Sequence, residues 1–282
     1  MKVRYHLIIA MALAAVGITP SLASPFLPRP PRQASDHGLD PGSSRRVNRG
    51  VIHGVDHGVD GGFDHAVTTQ KVVALTFDAD MTLKMRDELK SGKVVSWYNA
   101  NVIAVLQREN IPATLFLTGL WIEAYPEITK QLSQNPLFEL GNHSYSHGGF
   151  RSPCYGLPAV KKSNEAAEVE RTDALLQKYA AAYKKYFRFP GLCFDADDVK
   201  RVEAENYTVI NGDVEGGDGF EKYPAPIVAN VVGHVRPGSI VVLHMHGGPN
   251  APETAIALPD IIRKLRAQGY SFVKVSDLLK LR

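Results

Sequence analysis

The stretch that decides the fold reads VVALTFDAD and spans residues 72–80. Its first part, 72–77, is a compact apolar run typical of a buried strand, and two carboxylates, Asp78 and Asp80, follow directly. No glycine-rich phosphate-binding loop follows Phe77, so the sequence gives nucleotide binding no support.

The pattern of this stretch recurs along the chain. Further runs of strand length lie at 113–117, 138–141, 186–189, 207–210, 240–243 and 271–275. Segments with helical periodicity separate them, at 97–109, 126–133, 161–183, 196–205, 226–235 and 254–267. Strands that alternate with helices predict parallel strands joined by crossovers. About seven such units predict an α/β fold with a single catalytic domain, a closed or nearly closed β/α barrel. A doubly wound open sheet is the alternative.

The composition bounds the class of protein. The 282 residues carry a net charge of +3 and are 44% hydrophobic, which is enough chain for one large domain with its own core. Lysine and arginine alternate with carboxylates and form no dense stripe, so we expect no nucleic-acid partner.

The N-terminus has the layout of a secretory signal peptide. Lys2 and Arg4 precede an apolar run over residues 7–18, and Ser21 and Ala23 then supply small residues at the two positions that determine cleavage. A membrane anchor is the alternative, but the run is too short to span a bilayer comfortably. We therefore predict a cleaved signal at residues 1–23 and an exported protein, periplasmic or secreted, with no stable membrane insertion after cleavage.

Residues 24–70 are predicted to form a disordered linker rich in Pro, Gly and His. They include a repeat of His-Gly-Val-Asp at 53–56 and 57–60 and a degenerate copy that ends at 64–65. Such polar, low-complexity sequence buries too little apolar area to offset chain entropy. A metal-scavenging tail is the alternative, but nothing fixes those ligands in a geometry. The folded domain is then expected at 71–282.

The chain has two cysteines, Cys154 and Cys193. In an exported protein an even pair indicates a disulfide, and two buried thiols are the alternative. Both follow predicted strand ends, so a bridge would lie on the active-site face of the barrel and place the two Cα atoms within about 7 Å of each other.

Candidate catalytic residues cluster where predicted strands end, which is where barrel enzymes carry their function. These residues are Asp78, Asp80, His143, His147, Arg188, Glu215, Asp218, His244 and His246. This coincidence at successive strand ends is a stronger signal than any one residue.

The sequence His143-Ser-Tyr-Ser-His147 is a candidate metal-binding motif. Two histidines four apart lie on one face of a helical turn and can reach one ion. With a carboxylate of the Asp78/Asp80 pair they would form a two-histidine, one-carboxylate site, which suits Zn²⁺ or another late first-row divalent ion. Surface or capping histidines are the alternative.

The two carboxylates can divide their tasks beside an ion, one as ligand and the other as general base. A calcium site or a turn cap is the alternative. Arg188 could hold the base ionised, and His244 could protonate a leaving amine.

Five motifs in order resemble those of the polysaccharide deacetylases with the NodB homology domain, carbohydrate esterase family 4. They are TFD at 76–78, HSYSH at 143–147, RFP at 188–190, EGGD at 215–218 and SIVVLH at 239–244. The resemblance covers roughly residues 70–282. It implies a distorted β/α barrel and removal of N-acetyl groups from an extracellular amino-sugar polymer of the peptidoglycan or poly-N-acetylglucosamine type.

The resemblance also implies roles. One divalent ion, Zn²⁺ with Co²⁺ or Ni²⁺ as alternatives, would be held by an aspartate and the two histidines of the second motif. Metal-bound water would attack the acetyl carbonyl while an aspartate takes its proton, and the ion and the backbone N–H of Gly191 would hold the oxyanion. Arg188 would orient the base, and His244, tuned by Asp218, would protonate the amine.

Three departures from the family pattern affect these roles. The family's adjacent aspartates are separated here by Ala79, and we assign Asp78 as base and Asp80 as ligand because residues two apart on a strand face the same side. Glycines replace the aromatics after the third and fourth motifs, so the groove is either wider or rebuilt by aromatics from elsewhere; the candidates are Trp97, Trp121 and Tyr145. The acidic residue often found after the family's last histidine is Met245 here, and His246 follows it. His246 is either a residue that supports the ligands or a loop histidine.

Two other functions stay open: a catalytically weak glycan-binding module of the same fold, and an O-acetyl esterase acting on a polysaccharide. Retention of the proton donors and acceptors argues for catalysis, because binding alone does not need them. The expected partner is an acetylated polysaccharide, and the sequence leaves the oligomeric state open.

Overall fold

The computed structural model describes residues 61–247 and 251–281. The predicted signal peptide and most of the predicted linker, with its two full repeats, lie outside these residues. Within the described part, no helix combines the length and the apolar character that crossing a membrane requires.

Strands and helices alternate as predicted. The strands are β1 (Val72–Ala79), β2 (Ala113–Leu117), β3 (Phe138–Asn142), β4 (Tyr186–Phe187), β5 (Thr208–Val209), β6 (Val214–Glu215), β7 (Ile240–His244) and β8 (Ser271–Phe272). The helices are α1 (Leu83–Lys90), α2 (Ala100–Arg108), α3 (Gly119–Ala124), α4 (Pro126–Gln134), α5 (Glu165–Tyr179), α6 (Ala196–Ala204), α7 (Pro224–His234), α8 (Thr254–Ala267) and α9 (Val275–Leu278).

The strands form one parallel sheet in the order β5-β4-β3-β2-β1-β7-β6, and β8 pairs with the start of β1. Sequence neighbours are sheet neighbours along most of this order, which is the arrangement of a barrel and not of a doubly wound sheet. Among the described residues β5 and β6 do not pair with each other, so the barrel stays open on that side. The predicted distorted β/α barrel is confirmed.

The described residues 61–66 pack against the open side of the barrel. The backbone N–H of Phe63 donates to Val209 at 2.9 Å, and that of Ala66 donates to Gly238 at 2.9 Å. Phe63 and Ala66 are buried. A Cβ on Gly238, whose φ is 85°, would collide with the carbonyl oxygen of Ala66, so this approach requires glycine. Residues 61–66, which the sequence analysis placed in the linker, therefore pack on the barrel.

The core lies on both faces of β1, whose residues from Val73 onward are buried. Burial on both faces explains why this strand reads as a continuous apolar run and not as an alternating one. The sequence patterns missed α1, α3 and β6. Only Met85 is buried in α1, and β6 is two residues long, so neither produces a periodic apolar pattern.

Candidate active site

A cleft of about 650 Å³ opens at the carboxyl ends of the strands. Five of the seven predicted site residues line it: Asp78, Asp80, His143, His147 and His244. Arg188 and Asp218 are not in its wall; both are fully buried beneath it, each in contact with a lining residue. The strand ends therefore bring the predicted residues together, with two of them as supports.

Asp80 and the two histidines of the HSYSH motif form a compact group of donors. Oδ1 of Asp80 lies 3.4 Å from Nε2 of His143 and 3.2 Å from Nε2 of His147. One ligand atom from each residue lies within 4.8 Å of the other two, and all three residues are buried. Oδ1 of Asp80 has no hydrogen-bond partner. A buried, unsatisfied carboxylate oxygen facing two imidazole nitrogens fits a divalent ion with nitrogen and oxygen ligands.

The orientation of His143 is fixed by the backbone. Its Nδ1 lies 2.9 Å from the carbonyl oxygen of Arg188, and because a carbonyl only accepts, Nδ1 carries the hydrogen. In the neutral ring Nε2 then carries the lone pair, which faces Asp80. Burial opposes charge on this ring, but Asp78 and Asp80 outweigh it and raise the pKa of His143. The same carboxylates favour a cation at this position.

The HSYSH segment is a loop, so the predicted helical turn is wrong. Ser144 and His147 adopt left-handed backbone conformations, with φ of 64° and 54°. The side chain of Asn142 accepts from the N–H of Ser144 at 2.9 Å, and the hydroxyl of Ser144 accepts from the N–H of His147 at 3.2 Å. These local bonds replace helical ones and turn both imidazoles toward Asp80.

Glu168 on α5 anchors this loop, and the sequence patterns did not reveal it. Its Oε2 accepts from the backbone N–H groups of Tyr145 at 2.9 Å and Ser146 at 2.8 Å. Its Oε1 accepts from the hydroxyl of Ser146 at 2.9 Å. A carboxylate that satisfies three donors of one loop holds the histidines from behind.

Asp78 is paired with Arg188. Nη1 of Arg188 donates to Oδ1 of Asp78 at 2.8 Å and to the hydroxyl of Thr76 at 2.7 Å. Nη2 donates to the carbonyl of Asn211 at 2.6 Å. Oδ2 of Asp78 lies 3.7 Å from Nε2 of His143, so it faces the cleft beside the donor group. The guanidinium thus orients Asp78 through a charge-assisted hydrogen bond.

His244 pairs with Asp218 on the opposite side. Its Nδ1 lies 2.8 Å from Oδ1 of Asp218, and its Nε2 lies 3.8 Å from Oδ2 of Asp80. Burial works against a charge on this ring, but the field of Asp218 outweighs burial and raises the pKa of His244 to about 10. Asp78 and His244 are register partners on β1 and β7, which places these two groups side by side.

His246 completes the ring of histidines around Asp80. It is 2% exposed, and its Nδ1 lies 3.4 Å from Oδ2 of Asp80. Neither ring nitrogen has a hydrogen-bond partner. Burial lowers the pKa of His246 to about 4, so the ring is neutral near pH 7. Of the two interpretations of His246, this geometry favours support of Asp80.

The aromatics expected to rebuild the groove do not do so. Trp121 and Tyr145 are buried and do not line the cleft, and Trp97 lines it but is 1% exposed. Two other rings stand at the mouth, Tyr155 at 51% and Phe220 at 72% exposed. Neither belongs to a motif or a periodic pattern, so no sequence signal points to them.

The predicted disulfide is present. Cys154 and Cys193 are bonded, with their Cα atoms 6.0 Å apart. The bridge joins the segment after the His loop to the segment after the Arg188 motif, beside the cleft.

Comparison with known proteins identifies the family. The family described as Polysaccharide deacetylase matches residues 65–210. The chain belongs to this family. The matched segment holds five of the seven predicted site residues. Of the other two, His244 lines the same cleft and Asp218 lies buried beneath it in contact with His244. The prediction of a polysaccharide deacetylase is therefore confirmed.

Three relatives illustrate the similarity. A peptidoglycan-N-acetylglucosamine deacetylase of Bacillus cereus is 28% identical over 220 residues, 76% of this deacetylase and 90% of that protein. The peptidoglycan-N-acetylmuramic acid deacetylase PdaA of Bacillus subtilis is 25% identical over 218 residues, 75% and 73% of the two chains. A family 4 acetyl xylan esterase of Clostridium thermocellum, solved with a cobalt ion, has a TM-score of 0.59 and 27% identity and covers 75% of this chain and 91% of its own.

Proposed function

We propose that this chain removes N-acetyl groups from an extracellular amino-sugar polymer with the help of one divalent ion. One observation carries the proposal. The donor group of Asp80, His143 and His147 lies between two paired side chains: the carboxylate of Asp78, which binds Arg188, and the imidazole of His244, which binds Asp218. Hydrolysis of an acetamide needs a base for water and an acid for the amine, and this cleft offers both.

Asp78 is the proposed base. Its Oδ2 faces the cleft while Arg188 holds Oδ1, so the free oxygen can take the proton of the water that attacks the acetyl carbonyl. The backbone N–H of Gly191, which lines the cleft, is the protein's proposed donor to the oxyanion.

His244 is the proposed acid. Asp218 holds its Nδ1 and leaves Nε2 toward the cleft, so the protonated ring can give its proton to the leaving amine. Arg188 and Asp218 act through these two groups: the first positions Asp78, and the second positions and charges His244.

Asp80, His143 and His147 are the residues that would hold the ion. An ion bound there supplies Lewis acidity, which polarises a carbonyl and makes water more acidic. Two imidazoles and one carboxylate suit Zn²⁺, with Co²⁺ and Ni²⁺ as alternatives.

The proposed substrate is an acetylated polymer of the peptidoglycan or poly-N-acetylglucosamine type. Support comes from relatives named as peptidoglycan-N-acetylglucosamine and N-acetylmuramic acid deacetylases. The signal-peptide layout of residues 1–23 supports an exported, periplasmic or secreted enzyme that meets such a polymer.

An O-acetyl esterase acting on a polysaccharide is the second candidate. It is favoured by the similarity to the acetyl xylan esterase of Clostridium thermocellum. The same base serves both reactions, but an ester releases an alcohol that depends less on a proton donor than an amine does.

Acetate release tests the proposal. Purified protein loaded with Zn²⁺ is incubated with peptidoglycan, a tetramer of β-1,4-linked N-acetylglucosamine and acetylated xylan, with Asp78→Asn as the inactive control. Faster release from the amino-sugar substrates supports the proposal. Release from acetylated xylan alone would establish the esterase, and binding of the tetramer without release from any substrate would establish a binding module.

A further inference from the structure

The geometry points to a sugar-stacking subsite formed by Tyr155 and Phe220 at the mouth of the cleft, with Tyr155 held in place by the Cys154–Cys193 disulfide. The ligand it would take is a pyranose ring of the polymer next to the one that carries the reacting acetyl group. This inference rests on the proposed function. The two rings would give the enzyme a preference for the polymer over single sugars.

The two rings stand together and open to solvent. Their centroids lie 5.4 Å apart with an interplanar angle of 42°, and both side chains are more than half exposed. Large apolar side chains usually gain stability by burial, so two adjacent exposed rings beside a catalytic cleft indicate a ligand surface. Both rings line the same cleft as Asp78 and His244.

The backbone of Tyr155 adopts a strained conformation that leaves its ring exposed at the mouth of the cleft. Its φ is 45°, a left-handed conformation that a bulky side chain rarely adopts, and Gly156 follows at 77°. Strain of this kind persists only where the surroundings impose it, and it clusters at ligand-binding sites. Here the backbone N–H of Leu157 donates to the carbonyl of Cys154 at 2.7 Å, which closes a tight turn over Tyr155 and Gly156, and the disulfide to Cys193 holds the first residue of that turn.

Gly191 makes room for this arrangement. A Cβ at this position would lie 2.8 Å from Sγ of Cys154 and 3.1 Å from Cδ2 of Tyr155. A side chain at residue 191 would therefore displace both the disulfide and the ring. An aromatic side chain at residue 191 and the present position of Tyr155 therefore exclude each other.

Arg151 anchors the same loop to the start of α6. Its Nε donates to Asp195 at 2.6 Å, and its Nη2 lies 2.8 Å from a carboxylate oxygen of Asp198. Arg151 thus holds the chain before Tyr155, and a parallel bridge between residues 149 and 159 closes the loop after it. A loop held at both ends can keep a ring in a binding position at little entropic cost.

The lining of the cleft combines apolar and polar side chains. Tyr155, Phe220 and Leu192 contribute apolar surface, whereas Thr82, Lys84 and Glu88 contribute polar groups from α1 and the residue before it. A pyranose has apolar C–H faces and hydroxyls at its edge, so a ring lying on the aromatics finds hydrogen-bonding groups within the same cleft.

The test uses calorimetric titration of the Zn²⁺-loaded Asp78→Asn protein, which we expect to bind without turnover. Its ligands are the N-acetylglucosamine tetramer and the monomer. Adding Tyr155→Ala or Phe220→Ala should weaken tetramer binding about 3- to 10-fold and leave monomer binding unchanged. Tyr155→Phe should keep the affinity. Tyr223→Ala is the matched control, since Tyr223 is 71% exposed and does not line the cleft.

The disulfide is tested by coupling. Replacing both cysteines by serine should weaken tetramer binding as much as Tyr155→Ala, and adding Tyr155→Ala to that protein should then have little further effect. Tyr155→Gly separates binding from folding: it should lower the affinity without lowering the thermal midpoint, because glycine accepts the left-handed backbone.

The outcomes are decisive. Unchanged tetramer affinity in Tyr155→Ala, equal losses for monomer and tetramer, or no tetramer binding at all would overturn the subsite. Tetramer binding that depends on Tyr155, with no acetate released by the wild-type protein, would contradict the proposed function and leave the subsite standing. Acetate release by the wild-type protein, together with a tetramer affinity that does not depend on Tyr155, would support the proposed function and overturn the subsite.

Discussion

Asp218 contacts His244 through both carboxylate oxygens: Oδ1 lies 2.8 Å from Nδ1 of the ring, and Oδ2 accepts from the backbone N–H of the same residue at 2.8 Å. Thr254 donates to Oδ2 as well, at 2.5 Å. A carboxylate satisfied by three donors fixes the ring and favours its protonated form.

Asp218→Asn should therefore weaken the acid and leave the base intact. We expect turnover of an N-acetyl amide to fall at least about 100-fold. Hydrolysis of an aryl acetate should change little, because its leaving group needs no proton. Rates on the two substrates with the same preparation check this. Equal losses on both would mean that Asp218 only maintains the structure.

Asp78 and Asp80 should respond differently to substitution. Asp80→Ala removes the oxygen that both histidines face, so the protein should lose its ion. Asp78→Asn should keep the ion and lose about 100-fold or more in turnover. Metal content by mass spectrometry and acetate release measure the two effects. The opposite pattern would exchange the assignments.

His246→Ala should weaken metal binding without abolishing it. The ring stands 3.4 Å from the oxygen of Asp80 that does not face His143 and His147, so its loss frees that carboxylate. Loss of such a supporting residue usually costs about 10- to 100-fold in affinity. Competition with a chromogenic zinc chelator measures it, and the exposed His234→Ala is the control. Equal Zn²⁺ affinities in the two variants would show that His246 does not contribute to metal binding.

The ion pair of Arg151 and Asp195, which anchors the Tyr155 loop, should make the stability of the protein depend on pH in the acid range. The hydrogen bond from Arg151 holds the pKa of Asp195 at about 2, below the unfolded value of about 3.9. Because the folded-state pKa is depressed, this stabilisation is present above about pH 4 and is lost as the pH falls toward about 2.

Asp195→Asn keeps an acceptor for capping α6 but removes the charge. Its thermal midpoint should be lower than that of the wild type at pH 6, and the difference should close by about pH 2. Asp197→Asn, exposed on the same helix, is the control. A difference that is constant over this pH range would refute the assignment.

The sequence predicted the barrel and its catalytic edge because both follow from periodicity. Parallel strands end on one side of a sheet, so polar residues at successive strand ends must meet. The register of β1 and β7 shows this directly, since it sets Asp78 beside His244. Asp78 near the end of β1 and Asp80, the first residue after it, are two residues apart and converge on His143 for the same reason.

The features that were missed depend on contacts between distant segments. Glu168 lies on a helix surface in the sequence pattern, and only the fold brings it under the HSYSH loop. That loop is not helical because its backbone N–H groups donate to the side chains of Asn142 and Ser144, and these hydrogen bonds compete with helical ones. Tyr155 takes its position from a disulfide and from the space above Gly191, neither of which leaves a local pattern.

The most direct test of the central claim is a metal titration of catalysis. Protein stripped by a chelator is titrated with Zn²⁺, and acetate release from the N-acetylglucosamine tetramer is followed. We predict no release without metal and a rise that saturates at about one equivalent per chain, as the single group of Asp80, His143 and His147 found in the described residues requires. Full activity in the metal-free protein would contradict the account.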